Sequence, residues 1–140
     1  MTAAAIVQEA RSWLGVRWVH QGRSRAGVDC AGLVLLVAQA QRSWSLDVRD
    51  YPRQATDESM LELCRQHLQP VARAALQPGD VAVFGFDNQR HVGIVGDYPA
   101  PGALSLIHAY ALAPRRVVEV RFDSVWMGRV VGCFRFPGVI

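Results

Sequence analysis

One cysteine of the sequence, Cys30, stands where a nucleophile could be activated. It follows Asp29 in the stretch GVDCAGLVLLVAQA, residues 27–40, where a loop changes into an apolar helical pattern. The first turn of a helix offers unpaired N–H groups and a partial positive charge, which stabilise a thiolate. Such a position can lower a cysteine pKa from ~8.5 into the range ~3.5–7.5, and the same N–H groups could form an oxyanion hole. Helix position alone nevertheless favours the structural interpretation, in which a small hydrophobic side chain packs a helix start.

A nucleophilic cysteine requires a base, and the sequence offers four histidines. His91 begins the predicted strand HVGIVGD, and His108 lies near the end of the next one, LSLIHAY. In an antiparallel pair the start of one strand lies near the end of the next, so these two residues could be neighbours, one as base and the other orienting it. Alternatively, both are strand-end histidines bonded to the backbone. His67 is expected in solvent at a helix end, and His20, in the loop before Cys30, is ambiguous.

The helices that would position these residues come first in the chain. Apolar periodicity predicts helices over 3–14, 30–40 and 57–68. The second is apolar on nearly every side, which predicts that it is buried, and Asp29 has the position of its N-cap. Residues 45–56 are predicted to be irregular.

The second half of the chain is rich in β-forming residues. Turn signals such as QPGD, DNQ and PAPG separate five short segments. These segments are GDVAVFGF, HVGIVGD, LSLIHAY, RRVVEVRF and VVGCFRF. Helices followed by strands predict one α+β domain over residues 1–140, with helices packed on one face of a five-stranded antiparallel sheet.

Composition excludes several classes of protein. The formal charge of +3 comes from 15 arginines, with no lysine, against 12 acidic residues. The arginines are scattered, so nucleic-acid binding is not indicated, although a basic surface would suit an anionic polymer or an acidic protein. The amino terminus does not read as a signal peptide, and the longest apolar run, 33–38, is too short to span a membrane. We therefore expect synthesis in the cytoplasm without an export signal.

Cysteine usage argues against a metal or disulfide framework. The three cysteines, Cys30, Cys64 and Cys133, are odd in number and form no CxxC pair. No HExxH motif or Cys/His spacing indicates a metal, so we expect no cofactor. Cys64 and Cys133 lack a charged or helix-start context and are predicted to be structural.

Four ordered stretches together point to a known family. These are GVDCAGLV, LQPGDVAVF, HVGIV and LIHAY, and they extend over most of the chain. Their order and spacing resemble those of the NlpC-type family of papain-like cell-wall cysteine peptidases. The resemblance implies a papain-like fold, in which a buried helix that begins at the nucleophile packs on the sheet.

The resemblance also implies roles for individual residues. Cys30 matches the nucleophile, His91 the general base and His108 the polar residue that orients the imidazole. Asp29 matches a residue that helps to hold the amine of a peptidoglycan stem peptide, although it could instead be an N-cap only. Such enzymes cleave the bond between D-glutamate and a diamino acid through an acyl-enzyme, without metal.

The loop before the cysteine departs from the usual family pattern. Trp18 stands where a tyrosine is usual, His20 and Gln21 replace glycines, and Ala31 replaces a serine. These four residues are candidate substrate contacts, and Trp18 and His20 could equally be plain loop packing. The form WVHQGRSRAGVDC resembles the subgroup encoded in phage tail operons. That resemblance implies a virion-tail location, tail-tip partner proteins and action in the cell envelope.

Two alternative functions remain open at this point. The chain could be a structural tail-tip or plug protein that keeps the fold with weak or no catalysis. It could also be a papain-like acyltransferase or amidase that acts on another substrate. The first alternative predicts loss of Cys30 or His91, and both are present.

Overall fold

The computed structural model describes residues 1–41, 58–87, 89–100 and 102–140. The predicted irregular stretch 45–56 and the first residue of the third predicted helix lie outside this range. The helices are α1 (Ala3–Arg11), α2 (Cys30–Ala40), α3 (Ser59–His67) and α4 (Ser124–Met127). The strands are β1 (Arg23–Ser24), β2 (Gly27–Val28), β3 (Gln69–Pro70), β4 (Val81–Phe86), β5 (Gln89–Gly96), β6 (Ser105–Ala109), β7 (Val117–Arg121) and β8 (Val130–Arg135). None of the helices in the described part of the chain has the length and apolar character needed to cross a membrane.

The main sheet confirms the α+β prediction and adds one strand to it. Its order is β3-β8-β4-β5-β6-β7, and every neighbouring pair is antiparallel. The prediction of five strands missed β3, because two residues show no alternation and one of them is Pro70, which is tolerated at a sheet edge. Strands β1 and β2 form a separate small hairpin within the loop that precedes α2.

The boundaries of the first and third helices differ from the sequence prediction. Helix α1 ends at Arg11 rather than residue 14, because the N–H groups of Trp13 and Leu14 bond three residues back and Gly15 then takes φ +87°. Helix α3 begins at Ser59 and has no side-chain cap. The short helix α4 was not predicted. Its N-cap, Asp123, accepts hydrogen bonds from two backbone N–H groups of the helix.

Apolar packing covers both faces of the main sheet. Helix α2 is buried as predicted, with Leu33 and Val37 fully inaccessible, and it packs on β5 and β6. Together with α1 and α3 it encloses the larger core. The opposite face carries a smaller cluster around Phe84 and Leu106, which Trp126 of α4 helps to cover. Because Phe84 and His91 are paired across β4 and β5, His91 belongs to this second face.

Gly93 allows β5 to pass close to His108, which comes directly after the residues of β6 that pair with β5. The paired positions run from Gly96–Ser105 to Ile94–Ile107, and Gly93 and His108 come next. A Cβ atom at Gly93 would lie 2.5 Å from Cδ1 of Leu106 and 3.1 Å from Cβ of His108. The absence of a side chain at Gly93 therefore sets the distance between the two histidine-bearing strands.

We expect Gly93→Ala to destabilise the fold and to displace His108. Overpacking at such a site costs roughly 1–3 kcal/mol of unfolding free energy. Gly85→Ala, on β4, is the matched control, because its Cβ would meet the side-chain ends of Val131 and Arg90, which can move. Urea denaturation of both variants measures the difference. Equal stability of the two variants would contradict this account of strand spacing.

Candidate active site

The side chain of Asp29 fixes the start of the nucleophile helix. Its Oδ1 accepts a hydrogen bond from the backbone N–H of Gly32 at 2.8 Å, which confirms the predicted N-cap. The remaining N–H groups of the first turn are thereby aligned at Cys30. The cap is closely packed, since a Cβ at Gly32 would lie 2.5 Å from the carbonyl oxygen of Gly22.

The same carboxylate also holds the loop that precedes the helix. Oδ2 of Asp29 accepts from the backbone N–H of Gln21 at 2.7 Å, and Oδ1 lies 3.3 Å from Nη1 of Arg23. Nδ1 of His20 lies 4.0 Å from Oδ2. Gln21 has a φ of +59°, a conformation that non-glycine residues adopt at some cost and that the carboxylate contact helps to hold. Loop and helix start thus share one buried anion, which is 3% exposed.

The sulfur of Cys30 lies where β5 passes the start of α2. Backbone hydrogen bonds at Val92, Ala31 and Cys30 itself favour its thiolate, as expected for a helix N-terminus. Burial and the nearby negative charge of Asp29 act in the opposite direction and prevail, raising the pKa of the thiol to about 12. The expected lowering of this pKa is therefore wrong for the ligand-free site. The helix terminus is present, but dehydration outweighs it.

The two predicted histidines are in direct contact. Nε2 of His91 lies 2.7 Å from Nδ1 of His108, and the rings stand at 79° to each other. His91 directly precedes Val92, whose backbone forms a hydrogen bond with the sulfur of Cys30. The bond to His108 uses Nε2 of His91, which leaves Nδ1 as the nitrogen that can exchange a proton with the thiol. Nucleophile, base and orienting residue are the roles predicted for Cys30, His91 and His108, and these roles stay predictions.

Aromatic rings enclose the histidine pair. Trp126 lies 5.0 Å from His108 and 6.0 Å from His91, and Tyr110 lies 5.1 Å from His108, all between ring centroids. Phe84 stands 6.2 Å from His91. Burial lowers the pKa of His108 to about 4. Burial and then the neighbouring His108 lower the pKa of His91 to about 3. Near neutral pH the resting site therefore holds a thiol and two uncharged imidazoles.

The other predicted site residues lie around this centre in different ways. Ala31 contributes a backbone hydrogen bond to the sulfur of Cys30. Trp18 is buried, and its backbone N–H donates to the carbonyl of Arg115 at 2.8 Å. Contact with substrate stays a prediction for five residues, which are Trp18, His20, Gln21, Ala31 and Asp29. Among the described residues no group of three His, Cys, Asp or Glu side chains could hold a metal ion.

Three residues that shape the site were missed from the sequence. Tyr110 follows β6 and lies two residues after His108. Alternation along a strand places these two residues on the same face, and this was the signal available in the sequence. Trp126 could have been found from the pair Asp123–Ser124, an N-cap signal before a short apolar run. Arg23 gave no signal, because its contact with Asp29 depends on how the loop folds.

Comparison with protein families decides the identity of this domain. Residues 15–135 match the model of the NlpC/P60 family. The chain belongs to the NlpC/P60 family. The match includes Cys30, His91 and His108 and all the strands of the two sheets.

Solved NlpC/P60 structures share this fold at low sequence identity. An NlpC/P60 family protein from Bacillus cereus is 20% identical with a TM-score of 0.67, covering 97% of this chain and 40% of its own. The NlpC/P60 domain of the peptidoglycan hydrolase SagA is 22% identical with a TM-score of 0.62, covering 96% and 98%. The peptidoglycan hydrolase RipB from Mycobacterium tuberculosis is 18% identical with a TM-score of 0.66, covering 96% and 64%.

These structures show the fold alone. Several of the matched proteins are longer than this chain, which spans about two fifths of the Bacillus cereus protein. The sequence matches none of the curated proteins with which it was compared. Fold and family are thus shared, and the chemistry of this NlpC/P60 domain has to be argued from its own residues.

The lowered pKa values of His91 and His108 predict a loss of stability in acid. Above pH 6.5 both are neutral whether the chain is folded or unfolded. Below pH 6.5 the unfolded chain binds protons that the folded site, with pKa values of about 3 and about 4, does not. The unfolding free energy therefore falls as the pH falls through this interval.

Thermal unfolding, measured from pH 7 to about pH 4.5, tests whether the histidine pair causes this pH dependence of stability. We expect His108→Gln to flatten the pH dependence of Tm, because one of the two sites is removed. His67→Gln removes an exposed histidine of α3 and should keep the wild-type slope. Equal slopes for all three proteins would show that the histidine pair does not drive the acid sensitivity.

The raised thiol pKa predicts slow alkylation of Cys30 in the ligand-free protein. We expect the rate to keep rising into the alkaline range, without a plateau below pH 8, because the thiol pKa is about 12. A background with Cys64→Ala and Cys133→Ala leaves Cys30 as the only thiol, and unfolded protein gives the intrinsic rate. A plateau below pH 8 that His91→Ala abolishes would instead demonstrate a resting thiolate–imidazolium pair.

Proposed function

We propose that this protein is a cysteine endopeptidase that degrades peptidoglycan by hydrolysing an amide bond of the stem peptides. The observation that carries the proposal is the 2.7 Å contact between His91 and His108, together with the hydrogen bond from the backbone of Val92, the residue after His91, to the sulfur of Cys30 at the start of α2. Family membership and the peptidoglycan hydrolase descriptions of SagA and RipB support the substrate class. The bond between D-glutamate and a diamino acid is the proposed cleavage point.

The acylation step begins from the neutral pair. Sγ of Cys30 attacks the amide carbonyl carbon while the thiol proton passes to Nδ1 of His91. The positive charge that develops on His91 is stabilised by its bond to Nδ1 of His108. The N–H groups at the start of α2 are directed at the sulfur and can also stabilise the carbonyl oxygen as it becomes an oxyanion.

The remaining steps return the site to its starting state. The C–N bond breaks as His91 gives its proton to the leaving amine, and a thioester to Cys30 remains. Water then attacks the thioester carbon and gives a proton to His91. The carbon–sulfur bond breaks, a carboxylic acid is released, and the proton returns to Cys30. No redox partner or metal is needed for this sequence to balance.

Turnover of purified cell-wall fragments, analysed by mass spectrometry, tests the proposal. We expect Cys30→Ala to abolish product formation and His91→Gln to reduce kcat by roughly 10²–10⁴-fold. His108→Gln should reduce kcat less, because it acts through His91. Cys64→Ala, at a cysteine buried in the core, should retain activity if the variant is folded.

The products distinguish the alternatives. Endopeptidase action adds one water and creates a new amino group on the diamino acid. Transfer of an acyl group to another acceptor would instead identify an acyltransferase. A folded protein that releases nothing from any wall fragment would favour the structural tail-tip alternative.

We also propose that the protein acts from a phage or prophage tail and contacts other tail-tip proteins. The support is the form of the loop WVHQGRSRAGVDC, which resembles that of tail-encoded relatives. In this scheme the protein is made in the host cytoplasm and works in the cell envelope. Mass spectrometry of purified tail particles should detect it in the tail fraction, and its absence from intact particles would contradict the assignment.

A further inference from the structure

Four arginines surround a groove that the proposed mechanism does not use. The groove has a volume of about 960 Å³. One wall is formed by residues 14–18 and 25–26, and the other by residues 114–116. The arginines that line it are Arg17, Arg25, Arg115 and Arg116, all exposed. No Asp or Glu lines the groove, and none among the described residues forms an ion pair with any of the four.

The arrangement places like charges directly opposite each other. Arg17 and Arg116 are partners in an isolated antiparallel bridge, so their side chains start from facing positions. Like charges in such a pair destabilise the folded state. Because no described carboxylate offsets this repulsion, the cluster is a cost to the free protein, one that a bound anion would relieve.

The side chain of Arg25 and the backbone of Arg115 are held in place. Nη1 of Arg25 donates to the carbonyl of Ser12 at 2.6 Å, and its guanidinium lies 3.6 Å above the ring of Trp13. Arg115 has a φ of +59°, and its backbone accepts from Trp18 and donates to Leu112. Arginine presents planar forks of N–H donors that match carboxylates, and fixing the side chain in advance lowers the entropy lost on binding.

Both walls of the groove continue into the active site. Trp18 is bridged to Val28, two residues before Cys30. The carbonyl of Arg116 accepts from the backbone N–H of Tyr110, whose ring lies 5.1 Å from His108. A polymer that places one bond at Cys30 can therefore reach the arginines with a neighbouring segment.

We propose that this arginine groove binds carboxylate groups of the acidic peptide substrate outside the bond that is cut. The inference rests on the proposed function, because that function supplies an acidic peptide at Cys30. The continuity of the groove with both halves of the site favours an extension of the substrate over a separate acidic protein. The arginines are then specificity-determining residues that act on binding and not on the chemical step.

Binding to the Cys30→Ala protein tests the groove without requiring catalysis. The probes are soluble wall fragments with free carboxylates, the same fragments with amidated carboxylates, and poly-glutamate. Arg115→Gln combined with Arg116→Gln should weaken binding of the free-carboxylate fragments by about tenfold and leave the amidated fragments unaffected. Arg121→Gln, an exposed arginine at the far end of β7, is the matched control and should change neither.

Two further measurements separate a binding role from a structural one. Arg115→Lys with Arg116→Lys keeps the charge but loses the fork, so it should recover part of the lost affinity. Arg116→Gln should raise Tm at low ionic strength, and the gain should vanish near about 0.5 M salt. A lower Tm would contradict uncompensated repulsion. In the active protein the double Gln variant should raise KM and leave kcat unchanged.

The outcomes distinguish failure of the groove from failure of the proposed activity. If the protein with Cys30 intact releases no product while the double variant still loses fragment binding, the groove is retained and the peptidase is overturned. Equal fragment binding by wild type and double variant would overturn the groove. Arginine-dependent binding of poly-glutamate with no binding of wall fragments would overturn it too, since the face would then be a docking site for an acidic protein.

Discussion

The hydrogen bond between His91 and His108 decides whether this site can do acid–base chemistry. If His91 donates from Nε2, its Nδ1 keeps a lone pair that can accept the thiol proton; if His108 donates, that lone pair is lost. In the first tautomer Nε2 of His108 carries a proton, and this buried atom has no hydrogen-bond partner among the described residues. Ring faces are electron-rich and tolerate an N–H better than a lone pair. With the rings of Tyr110 and Trp126 packed on His108, a proton on Nε2 directed at a ring face would favour the tautomer in which His91 is a base.

Trp126, near the C-terminal end of the chain, therefore contributes to the environment of His91 and His108, which come earlier in the sequence. Trp126 reaches both histidines only because Asp123 starts a helix of one turn between β7 and β8. Burial removes water from both histidines and from the thiol, and this is why all three rest uncharged. Orientation and dehydration are consequences of the same packing.

Local signals predicted what depends on local structure. The apolar run after Asp29 predicted the buried helix α2 and its cap, and the strand ends predicted that His91 and His108 would meet. Quantities set by distant residues were not predictable. The pKa of the Cys30 thiol depends mainly on the burial that the folded chain imposes, which the residues around Cys30 in the sequence do not set. Asp80 is buried, and the ion pair that it forms with Arg135 of the last strand, at 2.8 Å, could not be predicted from the sequence around it.

A resting site of neutral groups shifts the burden of activation onto substrate binding. Separating charge between Cys30 and His91 is unfavourable while their pKa values are about 12 and about 3. A bound substrate changes this balance, because the thiolate is consumed as it forms and the oxyanion meets the N–H groups of α2. Binding energy gained away from the reacting bond can align the carbonyl for this step. Contacts in the proposed arginine groove would raise the affinity for an acidic peptide without changing the chemical step, while a small thiol reagent would meet an unreactive cysteine.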